Sequence, residues 1–126
     1  MSKEEALYNF WNSFGVDAYD EADVPDDKDL RYPYITYNVA TDSLNNVVPL
    51  HADVYDKGTS WRKARILKDA IAQRLLEHGF VTIPFDNGNY IYLTGGTPFA
   101  QRIDDPSNDR IKRYYINLQA EYLCKY

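Results

Sequence analysis

Residues 113–126 read RYYINLQAEYLCKY. Tyr114, Ile116, Leu118, Ala120, Tyr122 and Cys124 alternate with Tyr115, Asn117, Gln119 and Glu121. Successive side chains of a strand point to opposite faces, so this run predicts a strand with one face on a core. It is the longest alternating run in the chain and reads as the central strand of a sheet. The remaining elements have to be placed around it.

Upstream, FVTIPF (residues 80–85) and YIYLTG (90–95) flank DNGN. Both Asn87 and Gly88 tolerate positive φ, which predicts a hairpin. Residues 95–110, GGTPFAQRIDDPSNDR, read as a loop with a short strand around Phe99 to Ile103. TSWRKARILKDAIAQRLLEHG (59–79) predicts the clearest helix, about 60 to 78, capped by Thr59 or Ser60 and ended by Gly79. Ala64, Leu67, Ile71 and Leu75 form its apolar stripe, widened by Ala70. Arg62, Lys63, Arg65, Lys68 and Arg74 sit mainly off that stripe.

In VVPLHADVYDKG (47–58), Val48, Leu50, Ala52 and Val54 alternate with Pro49, His51, Asp53 and Tyr55, a second strand. SLNN (43–46) turns the chain before it. In the stretch before that turn, Ile35, Tyr37 and Val39 alternate with Tyr34, Thr36 and Asn38. Pro33 has no N–H, so this strand is expected to start there and to lie at an edge. SKEEALYNFWNSFG (2–15) predicts a short helix. Ser2 and Glu5 form a capping box, and Leu7, Phe10, Trp11 and Phe14 follow at helical spacing before Gly15. The expected fold is α+β: an antiparallel or mixed β-sheet of about four to five strands. A long helix is packed on one face, with a short N-terminal helix beside it.

The 126 residues fit one domain, and such a length buries enough surface to need no staple. Cys124 stands alone, so no internal disulfide is expected and a reducing compartment suits the chain. The N-terminal MSKEEALYNFW has no apolar run behind a basic region, so no secretory leader is expected, and no run is long enough for a membrane span. Formal charge is −5. Residues 16–30 hold seven acids and one lysine, which leaves the rest of the chain at +1. This acidic segment follows no period and reads as a mobile loop. A duplex-binding surface needs a basic excess that the chain lacks overall. The 12 tyrosines suit interfaces as well as cores.

Chemistry is sparse. His51 and Asp53 share a strand face with Asp56 close by, which could be read as a metal or general-base set. No third ligand has a recognisable spacing, so they read as the polar face of a half-exposed strand. His78 suits a helix C-terminus, and Cys124 reads as a buried structural thiol. The glycines of GNYIYLTGGTP lack the phosphate-cradling pattern, and DDPSND lacks the ligand spacing of a calcium loop. No catalytic, cofactor or metal residue is assigned. The basic helix face reads as solvated.

WNSFGVDAYDEADVPDDKDLRYPYITYNVATDSL (11–44), TSWRKARILKDAIAQRL (59–75) and GTPFAQRIDDPSNDRIKRYYINLQAEYL (96–123) together resemble the small tail terminator proteins of long-tailed bacteriophages. These are also called tail completion or head–tail joining proteins. The resemblance covers nearly the whole chain, and its motifs are structural. It implies a non-enzymatic ring, usually a hexamer, that caps the finished tail tube and meets the head connector. No cofactor is implied, and DNA would pass through the lumen without specific binding. The implied location is the virion head–tail junction, assembled in the host cytoplasm. A head-completion adaptor or minor tail component is the alternative. A small hydrolase or nuclease using His51, Asp53 and Asp56, and a DNA-binding module using the long helix, are readings from other classes.

On this reading Ile35, Tyr37 and Val39 face the helix layer, while Tyr34 and Thr36 lie open to a neighbouring subunit. The strand led by Pro33 and the hairpin at Asn87-Gly88 are the expected sheet edges, with Tyr90 and Tyr92 at the contact. Arg62, Lys63 and Arg65 are the expected partners of a neighbour's acidic loop.

Overall fold

The computed structural model describes residues 2–39, 47–86 and 88–123. Helix α1 spans Lys3–Trp11 and helix α2 spans Arg62–Leu76. The strands are β1 (Ala18–Asp20), β2 (Tyr34–Tyr37), β3 (Val47–Lys57), β4 (Val81–Phe85), β5 (Asn89–Asp104) and β6 (Ile111–Leu123). They form one sheet in the order β1-β2-β3-β6-β5-β4. All pairings are antiparallel except that of β1 with β2. The turn expected at 43–46, Asn87 and Cys124 lie outside the described residues.

This corrects the expected fold class. The chain is mostly β, a six-stranded, curled mixed sheet shaped as a half-barrel, with only two short helices. Two features hid the extra sheet. Strand β1 is three residues long and sits inside the acidic segment, too short to show a period. The expected loop at 95–110 instead continues β5 to Asp104. Gly95 pairs with Leu118 and Ala100 with Ile116, so β5 spends five residues where β6 spends two. Such a bulge breaks the alternation that reveals a strand, and it bends the sheet.

The curl is filled from inside. Leu7 and Trp11 of α1, Leu67, Ile71 and Leu75 of α2, and Ile35, Val54, Ile91, Leu93, Ile116 and Leu118 of the sheet share one core. Burying each such side chain stabilises by roughly 1.5–3 kcal/mol. Helix α2 packs on β3, β5 and β6. Helix α1 contacts both β1 and β4, the two ends of the strand order, and so bridges the seam that the curl leaves. Its start is set by Ser2, whose Oγ accepts the Glu5 N–H at 3.1 Å. The 3₁₀ turn after it ends at Gly15, whose φ of 83° favours glycine. Arg74 of α2 lays its guanidinium 4.1 Å from the Phe14 ring centre, tying the helices together.

Candidate interaction surface

Register places two sets of side chains on opposite faces of the sheet. Ile35 pairs with Val54 and Tyr37 with Ala52 on the inner face; Tyr34 pairs with Tyr55 and Thr36 with Asp53 on the outer one. The outer face is polar and aromatic. Tyr34 stacks on Tyr55 with ring centres 5.0 Å apart. Asp53, only 3% exposed, accepts from Arg113 Nε at 2.8 Å. The Arg113 guanidinium lies between the rings of Tyr55 and Tyr115. His51 stacks on Tyr115 at 5.2 Å.

The acidic segment reaches this face through Glu21 and is tied to the residues that follow it by two further contacts. His51 Nε2 lies 2.7 Å from Glu21 Oε2. The Tyr32 hydroxyl donates to Asp27 at 2.8 Å, and Arg31 grips Asp17 through two bonds of 3.0 and 2.9 Å. Instead of an aperiodic loop, the segment holds β1 and two 3₁₀ turns, Glu21–Asp23 and Asp27–Asp29. Burial, helped by the Asp27 bond, pushes the Tyr32 phenol up to about 12. Burial raises Tyr34 as well. It also holds the Asp53 carboxyl above the usual range, with Arg113 offsetting only part of the effect.

These contacts separate the three residues of the hydrolase reading. His51 and Asp53 share the outer face, but Asp56 lies at inner-face register, opposite Lys112. Asp53 is committed to Arg113 and His51 to Glu21. Among the described residues, no three His, Cys, Asp or Glu side chains gather as a metal site requires.

The expected interface residues divide. Tyr34 and Thr36 do face away from the core, but both are buried, Tyr34 beneath Tyr19, Tyr32 and Tyr55. They are not open to a neighbour in the single chain. Tyr90 is exposed, opposite the exposed Leu123, with exposed Val47 opposite Glu121. Tyr92 is half-buried and stacks on Phe80 at 5.0 Å. Arg62, Lys63 and Arg65 are exposed on α2. The expected edges are half right: β4 ends the strand order, but β2 is covered by β1.

Sequence reading missed two features. Arg113, the partner of the buried Asp53, carries no local signal, because the pairing spans sixty residues. The other is a groove of about 570 Å³ between α1 and β1. Glu4, Glu5, Asp20 and Asp23 line it together with Tyr8 and Tyr37. The i, i+4 pair Glu4 and Tyr8, off the apolar stripe of α1, was its only trace.

No protein-family model, curated protein or solved structure matches the chain.

Proposed function

We propose that this chain is a structural ring subunit that caps the finished tail tube of a long-tailed bacteriophage and joins it to the head connector. The resemblance of residues 11–44, 59–75 and 96–123 to tail terminators motivates the reading. One structural observation carries it furthest: beyond the carboxylates that its ties engage, the acidic segment keeps exposed acids, and α2 keeps exposed cations. Asp23, Asp26 and Asp29 are exposed on the acidic segment, and Arg62, Lys63 and Arg65 are exposed on α2. Among the described residues no ion pair joins the two sets. A ring closes through a heterologous contact, one surface of each subunit meeting a different surface of the next. Two complementary surfaces on one subunit suit such closure. The exposed Val47, Tyr90 and Leu123 offer a separate apolar area for the tube or the connector. The ring, a hexamer on this reading, leaves a lumen for DNA, where excess negative charge keeps the duplex from adhering.

The test is to mix the purified protein with polymerised tail tubes and image the ends. Protein on one end, with tube growth arrested, is the expected result. Tubes that bind nothing and keep growing would refute the assignment. Binding to isolated head connectors but not to tubes would point to a head-completion adaptor.

A further inference from the structure

The groove between α1 and β1 has an unusual layout. Its floor is aromatic, with Tyr8 52% exposed, and Tyr37 is anchored by stacking on Trp11. Four carboxylates line the same groove: Glu4, Glu5, Asp20 and Asp23. Tyr8 presents an exposed aromatic ring among these carboxylates, a surface that an aliphatic side chain flanked by cations fits. None of the four acids has a salt-bridge partner among the described residues.

The first turns of α2 carry the reverse arrangement. Ile66 is 55% exposed, beside Arg62, Lys63 and Arg65. Helical spacing puts Arg62 and Lys63 one turn before Ile66, on the same side. Asp69, one turn after Ile66, is engaged by Lys68. An aliphatic side chain with cations one turn before it thus complements a groove lined by aromatic rings and carboxylates. The two do not meet within one chain, because α2 is held on β3, β5 and β6. The groove instead lies beside β1, at the far end of the strand order from β4.

From this complementarity we infer that the groove between α1 and β1 receives the first turns of α2 from a second copy of the chain. Ile66 covers Tyr8, while Arg62, Lys63 and Arg65 face Glu4, Glu5, Asp20 and Asp23. The inference rests on the ring reading for its biological setting, and names the lateral contact of that ring. Each subunit uses its groove on one side and its helix on the other, so the contact propagates and can close. A long extended segment pairing with the β1 edge is disfavoured, since Asn12 already occupies the free backbone groups of Ala18.

Sedimentation of the full chain, up to roughly millimolar concentration and at low ionic strength, tests the contact. Wild type should self-associate, and added salt should weaken the association. Glu4→Lys with Asp23→Lys in one protein, and Arg62→Glu with Lys63→Glu in another, should each weaken it by at least about tenfold, through like-charge juxtaposition. An equimolar mixture of the two should regain wild-type association, because each altered surface meets its complement. Recovery on mixing also shows that both variants fold. A monomeric wild type under these conditions, variants that associate as wild type does, or a mixture that stays dissociated would overturn the inference. Tube capping unaffected by the substitutions would overturn this contact and leave the tail reading standing. Charge-dependent association without tube binding would do the opposite.

Discussion

Asn12 holds Ala18 as a neighbouring strand would. Its Oδ1 accepts the Ala18 N–H at 3.1 Å, and its Nδ2 donates to the Ala18 carbonyl at 3.2 Å. Strand β1 is the end of the sheet, where an unpaired backbone invites unwanted pairing. One side chain from the end of α1 occupies that row, and the same amide donates to the Tyr8 carbonyl at 2.8 Å.

Asn12→Ala leaves those part-buried backbone groups without partners. It should lower stability by about 1–3 kcal/mol in urea unfolding. Amide exchange at Ala18 should accelerate in parallel. Unchanged unfolding and unchanged protection would show that the clip is ornamental.

Gly96 sits at the β5 bulge, where an added Cβ would lie 3.0 Å from Asn117 Cβ and 3.2 Å from the Asn117 backbone. Strand β6 is central and cannot retreat, so Gly96→Ala should cost about 1–3 kcal/mol through overpacking. At Gly95 the obstacle is the Phe99 ring at 2.9 Å, and Phe99 is only half-buried. That ring can turn, so Gly95→Ala should cost less. Thermal melts giving the opposite order would contradict the account of the bulge.

Asp53 and Arg113 form the most buried ion pair described, with the carboxylate side chain 5% exposed. Arg113→Met strands the carboxylate and should destabilise by about 3–5 kcal/mol near neutral pH. The pH dependence has a definite sign. Burial raises the folded-state pKa of Asp53 above its unfolded value of 3.8. Its contribution to stability is therefore fully present below the unfolded value and is lost as pH rises through the folded one. Without Arg113 the raising is larger, so the loss in Arg113→Met should shrink on acidification. A carbon-detected titration of Asp53 in the wild type should place its midpoint above 3.8. A midpoint at or below that value would reverse the sign.

Ile71 is fully buried between α2 and the sheet. Ile71→Ala removes that packing and leaves a cavity, for an expected loss of roughly 2–5 kcal/mol. Calorimetry of the variant measures it directly; a melting temperature equal to wild type would mean the helix does not seal the core.

Periodicity made part of this molecule legible. The stripe Ala64, Leu67, Ile71 and Leu75 is buried, and so are Tyr114, Ile116, Leu118, Ala120 and Tyr122. Alternation also separates Ile35 and Tyr37 from Tyr34 and Thr36, but it does not say which set meets the core. What covers the second face was not legible. Tyr34 is shielded by Tyr19, Tyr32 and Tyr55, and Thr36 is buried at the pairing with Tyr19, in a segment whose acidity made it look free of structure. Composition measures how little apolar area a segment can bury; it does not register three ties such as His51–Glu21, Tyr32–Asp27 and Arg31–Asp17.

By itself, the sequence determined which side chains turn inward along α2, β3 and β6, because helix and strand repeats are local properties of the backbone. Only the tertiary structure decided that β1 joins the sheet, that β5 runs on through a bulge, and that α1 bridges the two ends of a curl. It alone put Arg113 on Asp53 and set Tyr8 in a groove lined with acids. Each of those is a contact between residues far apart in the chain. Pairing partners are chosen by the free energy of the whole assembled core, and no local period encodes them.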